Sequence, residues 1–172
     1  MSAVKIGQAT NADVYLDGGA LIGRFKDFQL PEGEYQEIKH ETLGQIAVLS
    51  LPGRTLKEMK GKMTIDFLDV DLYPRLLNPT KALPLQVHSY VDVFGPDGVD
   101  LAASYRVVTS VTCFVRKVGG KAFKLGDAFE GEAEYSATRL IQTVSGKDTP
   151  LLEIDVLSQI NRINGVNVWA TY

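Results

Sequence analysis

The sequence contains few of the residues from which catalytic and metal sites are usually built. Its 172 residues include one cysteine, two histidines and one tryptophan. A single cysteine excludes an intramolecular disulfide, so folding does not depend on an oxidising compartment. No pair of cysteines or histidines has the spacing of a zinc site, and the sequence has no phosphate-binding glycine loop or nucleophile elbow. These absences argue against metal-dependent and nucleophilic enzymes and predict no cofactor.

Long hydrophobic runs and an excess of positive charge are also missing. No window approaches the ~20 apolar residues of a membrane-spanning helix, and the N-terminal residues do not read as a secretory signal. The formal net charge is -3 and the sequence pI is about 5.4. A basic nucleic-acid binder would carry a Lys/Arg excess, whereas a mildly acidic surface repels phosphate. We expect a protein made in the cytoplasm that neither inserts into a membrane nor binds DNA tightly.

What the sequence does contain is alternation of apolar and polar residues with period two, which is typical of half-buried strands. With 45% hydrophobic residues the chain can form a core as a single domain, residues 1–172. Short helical segments are predicted at 70–77 and 157–163. The fold is therefore predicted to be mainly β, two packed antiparallel sheets in a sandwich or barrel with one or two short helices. Strands are predicted at residues 13–17, 20–30, 35–40, 55–67, 83–94, 99–118, 121–125, 128–144 and 151–156.

The clearest alternation lies in residues 83–94, where Leu85 and Val87 face one side and Gln86 and His88 the other. The sequence Gly-Pro-Asp-Gly follows, with turn-forming residues at every position. A long Val- and Thr-rich segment comes next, so a β-hairpin is predicted. The only cysteine, Cys113, lies in this segment within Val-Thr-Cys-Phe-Val, and its apolar neighbours predict a buried thiol.

Two segments are predicted to lie outside the strands of the core. Residues 1–12 form an N-terminal tail, and residues of about 41–54 form a loop or arm with glycines at both ends. The apolar side chains of the arm suit contact with a partner, although an ordinary strand with a loop explains them equally well. The candidate interface residues in this arm are Leu43, Ile46, Val48 and Leu49.

Carboxylates are the remaining candidates for chemistry. Glu130, Glu132 and Glu134 lie at i, i+2 and i+4, which places all three on one face of a strand. Such a ladder can bind a cation, perform acid–base catalysis, or form an acidic strip facing solvent or a channel. Glu153 and Asp155 share a strand face in the same way, but no nucleophile or imidazole lies near them in the sequence. Catalysis is the least favoured of these uses.

The C-terminal part of the chain resembles the major tail tube protein of contractile-tailed phages and of phage-tail-like bacteriocins (tailocins). The resemblance is carried by a glycine-containing turn, an L-x-E-I-D strand over residues 151–155, a short amphipathic segment over 157–163 and an N-G-V ending at 164–166. Near the N-terminus, Val-Tyr-Leu-Asp-Gly and Phe-Gln-Leu-Pro match the opening strands of that family. Pro150 and two extra residues in the last turn depart from its pattern.

This resemblance implies a structural subunit rather than an enzyme. It implies that six subunits form a ring and that rings stack into a hollow tube inside a contractile sheath. This tube is expected to conduct DNA or to be driven through the target envelope. The implied partners are further copies of the chain, the sheath, baseplate and tail-terminator proteins, and the tape measure protein and transiting DNA in the lumen. The implied location is the tail of a virion or tailocin particle, and the sequence does not distinguish these two origins.

Within a tube, the residue assignments follow as expectations. The lumen-facing candidates are Glu130, Glu132 and Glu134, with the polar face of His88, Tyr90 and Asp92 as the alternative. The tail and the arm are expected to contact neighbouring rings. Interface candidates near the C-terminus are Leu157, Ile160 and Ile163. Two other functions compete with a tube: a monomeric β-barrel that binds a small ligand, and a small hydrolase that uses the Glu130–Glu134 face.

Overall fold

The computed structural model describes residues 5–16, 19–20, 25–44, 46–66, 70–71, 73–120, 124–126 and 129–169 of the chain. These residues form twelve strands and one short helix, which confirms the mainly antiparallel β class. The helix is α1 (Tyr73–Leu77), as predicted for residues 70–77. The strands are β1 (Ile6–Leu16), β2 (Gly19–Ala20), β3 (Phe25–Gln29), β4 (Tyr35–His40), β5 (Leu49–Leu56), β6 (Lys60–Ile65), β7 (Leu83–Gly95), β8 (Gly98–Gly120), β9 (Gly131–Val144), β10 (Leu152–Asp155), β11 (Ile160–Ile163) and β12 (Val166–Asn167).

Ten of these strands form one branched antiparallel sheet with β9 at the branch. From one edge the order is β2, β1, β7, β8 and β9. Along its other side β9 pairs first with β6, through residues 131–136, and then with β10, through residues 139–142. The sheet continues from β6 to β3, and from β10 through β11 to β12. The two branches therefore separate at Ala137 and Thr138, a place we call the fork.

The core shows that this sheet curls on itself. Met63 and Ile65 of β6 belong to the same buried cluster as Leu83 and Leu85 of β7, although β8 and β9 separate these strands in the sheet. A flat sheet would keep them about three strand spacings of ~4.8 Å apart. Leu76 of α1 is 1% exposed and packs against the same cluster. This arrangement is the enclosed core that a sandwich or barrel requires.

The predicted hairpin of β7 and β8 is confirmed. Leu83, Leu85 and Val87 are buried in alternation, as the period of two predicts. Gly95 pairs with Gly98 across the turn. Gly98 has a φ of 114°, a left-handed conformation that glycine adopts without a steric penalty. The turn chemistry of the sequence therefore determines where the chain reverses.

Gly61 and Tyr135 form a close approach between two strands of the core. They are direct partners in the pairing of β6 with β9. The Tyr135 side chain is fully buried, its ring stacks on Phe28 at 5.5 Å between centroids, and its hydroxyl donates a hydrogen bond of 2.7 Å to the Gln29 carbonyl. A Cβ on residue 61 would lie 2.3 Å from Tyr135 Cζ. The ring occupies the space that any side chain at position 61 would need.

Several predicted boundaries differ from the structure. Residues 6–12, expected in a tail, belong to β1 and pair with β7, while residues 1–4 lie outside the described residues. Both faces of this part of β1 are exposed, so no alternation marks it in the sequence. The predicted strand 55–67 is two strands, interrupted at 57–59. Most of the predicted strand 121–125 lies outside the described residues, and Leu125 is in a turn.

The helical segment predicted for residues 157–163 is wrong. Residues 156–159 form a turn, and β11 follows. The Asp155 carboxylate accepts hydrogen bonds from the backbone N–H groups of Leu157 and Ser158, at 3.1 and 3.0 Å, and Gln159 has a φ of 53°. A side chain that bonds its own backbone offers the chain an alternative to a helix. The apolar residues at helical spacing therefore belong to a turn and a strand.

The Cys113 thiol is expected to be unreactive in the folded protein. Its side chain is 0% exposed, and burial raises its pKa to about 12. Because the folded pKa is raised, the contribution of the neutral thiol to stability is complete below about pH 9 and is lost as pH rises through about 12. A thiol-specific reagent at pH 8 should label the protein only after unfolding. Rapid labelling of the native protein would contradict this.

Candidate functional site

Two of the three acids of the predicted ladder lie on β9 and the third just before it, and lysines flank the first and the last of the three. Glu132 and Glu134 point away from the core, opposite the buried Ala133 and Tyr135, and Glu130 immediately precedes the strand. The Nζ atoms of Lys62 on β6 and Lys117 on β8 lie 4.0 and 3.8 Å from Glu134 Oε1. The strip is therefore flanked by opposite charge on both sides.

Glu130 is also paired. The Lys26 ammonium group on β3 donates a hydrogen bond to its carboxylate, and this bond raises the pKa of Lys26 above its usual value. In the part of the chain that the structure describes, no group of three or more histidine, cysteine or acidic side chains is arranged to hold a metal ion.

The alternative polar face lies on the other half of the sheet. A shallow depression of about 400 Å³ is lined by residues of β1, β7 and β8, among them Asp13, Tyr15, His88, Tyr90 and Arg106. The ring centroids of Tyr15 and His88 are 4.5 Å apart. His88 and Tyr90 of the predicted set line this depression, and Asp92 lies further along β7. The mixture of one acid, one arginine and aromatic rings has no strong charge of either sign.

The predicted arm is a two-stranded sheet of its own. β4 pairs only with β5 in the described part of the chain, and this pair is separate from the ten-stranded sheet. Leu43 and Ile46 at its tip are 106% and 105% exposed. Val48, Leu49, Leu51 and Ile38 are also exposed. Isolated two-stranded hairpins are at best marginally stable in water, and these exposed apolar side chains make the arm a candidate contact surface.

The three C-terminal interface candidates differ in exposure. Leu157 and Ile163 are exposed, whereas Ile160 is half-buried. The two neighbouring carboxylates are paired with arginines: Glu153 with Arg162 at 3.3 Å and Asp155 with Arg139 at 3.8 Å. Asp155 also caps the turn that follows it. These contacts give Glu153 and Asp155 structural roles in the β10–β11 hairpin.

A groove at the fork is the site that the sequence did not reveal. Its volume is about 380 Å³, and its walls are residues 54–59 on one side and residues 154–156 and 159–161 on the other. Ala137 and Thr138 lie at its floor, and the half-buried Trp169 contributes to its rim. Asn161 is 4% exposed and lines the groove. Asparagine is depleted in strands, which was the only signal in the sequence for this residue.

One long edge of the sheet is open. β1 pairs along its full length with β7, but on its other side it pairs with β2 only at Tyr15 and Leu16. Among the described residues, the outer side of residues 6–14 therefore presents unpaired backbone N–H and C=O groups.

α1 has five residues, and the described residues include no helix with the length and hydropathy to cross a membrane.

Comparison with known proteins agrees with the predicted class. A family model described as phage tail tube protein FII matches residues 8–172. The fold is similar to the sheath/tube terminator of an extracellular contractile injection system, PVC, with 10% identity, a TM-score of 0.51, and coverage of 78% of this chain and 94% of that chain. The PVC sheath–tube complex aligns with 11% identity, a TM-score of 0.49, and coverage of 77% and 88%. No curated protein matches the sequence.

Proposed function

The chain belongs to the phage tail tube protein FII family, and from that premise we propose that six copies form a ring and that rings stack into the hollow inner tube of a contractile tail. Membership of this family makes the chain a structural component of a phage tail or tailocin-like particle, and not an enzyme. The observation that carries the assembly is the arm, a two-stranded sheet with exposed apolar side chains and no partner strand among the described residues.

Ring closure is proposed to use the open edge of β1. Within the described part of the chain, residues 6–14 have unpaired backbone groups on one side over a length of roughly 30 Å at ~3.3 Å per residue. An exposed edge of this length is a template for pairing with another chain, and natural proteins cover or close such edges. Pairing of β1 with an edge strand of the neighbouring subunit satisfies these groups and continues the sheet around the ring.

Stacking of rings is proposed to use the arm and the C-terminal hairpin. The arm supplies Leu43, Ile46, Val48 and Leu49, and the hairpin supplies Leu157, Ile160 and Ile163. Burial of apolar surface contributes about 25 cal/mol per Å², so covering six or seven aliphatic side chains provides a substantial driving force for association. The N-terminal residues preceding β1 are expected to join this contact.

The lumen is proposed to be lined by the face of β9 that carries Glu130, Glu132 and Glu134. This face is a mixture of acids and lysines, because Lys62 and Lys117 flank Glu134 and Lys26 binds Glu130. Alternating charge leaves no basic stripe that would hold phosphates, and the whole chain remains net acidic. Such a wall suits the passage of DNA, which needs a channel that does not bind it tightly.

The proposed partners follow from the position of a tube within a tail. They are the sheath around it, the baseplate and terminator proteins at its ends, and the tape measure protein or DNA inside it. The similarity in fold to the sheath/tube terminator of the PVC injection system is consistent with a place in such a particle. Assembly is proposed to take place in the cytoplasm of the bacterial host.

Negative-stain electron microscopy of the purified protein, alone and with its neighbouring tail proteins, tests this function. Six-fold rings or hollow tubes are the expected result. Tube subunits often need a nucleus, so the mixture with baseplate proteins is the decisive sample. Protein that remains monomeric in that mixture would overturn the tube, and a rise in melting temperature with an apolar ligand would then favour a ligand-binding barrel that uses the fork groove.

A further inference from the structure

The groove at the fork arises because two strands share one side of β9. β6 ends its pairing at Ser136 and β10 begins at Arg139, so the strands diverge and leave a cleft between them. Backbone groups at the floor already have hydrogen-bond partners. The Ala137 N–H donates to the Met59 carbonyl at 2.8 Å, and the Thr138 carbonyl accepts from the Val156 N–H at 2.9 Å. The cleft is therefore a lined groove and not a gap in the hydrogen-bonded sheet.

A residue that lines this groove has a buried polar atom without a partner among the described residues. Asn161 on β11 donates from Nδ2 to the Tyr35 hydroxyl at 3.2 Å, but its Oδ1 is buried and has no hydrogen-bond partner among the described residues. Leaving a buried carboxamide oxygen without a hydrogen bond is unfavourable, because the loss of its hydration is not compensated. If the carboxamide is rotated by 180°, the NH₂ group is unpaired in the same way. The groove therefore lacks one hydrogen-bonding partner on its wall.

The lining indicates the chemical class of the missing partner. The groove is mostly apolar, with Leu56, Met59, Ile154 and Ile160 among its residues, and Trp169 stands at its rim. A polypeptide segment with aliphatic side chains fits this lining, because its backbone presents both a donor and an acceptor to Asn161. Tryptophan at the rim of an apolar pocket is a common anchor in protein interfaces.

The tip of the chain's own arm has the required side chains but cannot reach its own groove. The base of the arm forms one wall, through residues 54–56, and Tyr35 bonds Asn161 there. Leu43 at the tip is eight residues beyond Tyr35 in the chain, which corresponds to roughly 26 Å of strand at ~3.3 Å per residue. A paired hairpin is too stiff to fold back over that length, so the tip can enter such a groove only on another copy of the chain.

We propose that the fork groove of one subunit receives the arm tip of a second copy, with Leu43 and Ile46 in the apolar lining and a backbone group on Asn161. Glu41 beside the tip then approaches Arg54 on the rim, a pairing of opposite charge. This inference rests on the proposed tube and names its receptor site. Tip and groove are different surfaces, so the contact is head-to-tail and repeats from subunit to subunit.

Disulfide trapping between two variants tests this contact. Ile46→Cys places a thiol on the exposed tip, and Ser136→Cys places one at the groove. The native Cys113 is buried and does not compete. Tubes assembled from an equal mixture of the two variants should give a cross-linked dimer on mild oxidation. The matched control pairs Ile46→Cys with Ser110→Cys, which lies on β8 outside the groove lining, and should stay monomeric on a denaturing gel.

The outcomes separate the groove from the tube. Tubes that form but give no dimer with Ser136→Cys, or as much dimer with Ser110→Cys, overturn the groove and leave the tube intact. A complete absence of tubes overturns both. Quenching of the single tryptophan by acrylamide gives a second readout: Trp169 should be less accessible in tubes than in the monomer, and equal accessibility would contradict an occupied groove.

Discussion

Tube formation is expected to be lost when Leu43 and Ile46 are both replaced with aspartate. The two side chains are fully exposed in the monomer, so the change should leave its fold intact. In an assembled tube, each aspartate would place a charge in an apolar contact, and burying an unpaired charge costs several kcal/mol. We expect monomers with an unchanged circular dichroism spectrum and no tubes by electron microscopy.

Conservative changes at the same positions provide the control for the arm. The variant with Leu43→Met and Ile46→Val keeps apolar surface at the tip and should assemble normally, since volume-conserving apolar changes usually cost less than ~1.5 kcal/mol. Normal tubes from the double aspartate variant would show that the tip lies outside the interface. Loss of tubes in both variants would point to a more demanding geometric fit than burial alone requires.

Gly61→Ala is expected to be the most destabilising small substitution in the core. A Cβ there would lie 2.3 Å from the Tyr135 ring and 2.7 Å from the Gln29 carbonyl oxygen. The ring cannot move aside easily, because it is buried, stacks on Phe28 and holds the hydrogen bond to Gln29. We expect a loss of at least ~3 kcal/mol, the upper range for overpacked cores. In thermal denaturation this corresponds to a fall of roughly 6–12 °C.

Gly33→Ala is the matched control, because a Cβ at that position meets no atom within 4 Å. Its effect should stay within ~0.5 kcal/mol of the native protein. A double-mutant cycle tests whether the ring is the obstacle. In a Tyr135→Leu background, Gly61→Ala should lower the free energy of unfolding by less, because the ring is gone and the Gln29 carbonyl remains close. Equal costs in the two backgrounds would show that the ring is not the obstacle.

The strands that could be predicted are those with one buried face. In β7, Leu83, Leu85 and Val87 alternate with exposed residues, and the pattern is visible because burial and side-chain direction share the same period. In β1, residues 6–12 are exposed on both faces, so no such pattern exists there and pairing with β7 alone defines the strand. The helical spacing of Leu157, Ile160 and Ile163 gave a wrong prediction of a helix. The Asp155 carboxylate bonds the backbone that follows it and Gln159 has a left-handed conformation, and both favour a turn there.

The candidate sites divide in the same way. The arm was recognisable as an apolar segment that did not fit the strand pattern, and the structure places it in a separate two-stranded sheet. The acid ladder was visible as a spacing, but the lysines that neutralise it lie on β3, β6 and β8, far from it in the sequence. The fork groove had no sequence signal beyond a single asparagine, because it exists only where β6 and β10 meet the same side of β9.

By itself, the sequence determined the class of the fold, the absence of the usual catalytic and metal motifs, and, through its C-terminal motif, the family that the match over residues 8–172 confirms. The first two depend on composition, motif spacing and local periodicity, which a linear chain carries in full, and the third depends on the resemblance of its C-terminal segment to a known family. The tertiary structure decided which carboxylates are paired, why residue 61 must be glycine, and where a groove with an unpaired asparagine lies. Each of these depends on residues that are distant in the chain and become neighbours only when the sheet branches and curls.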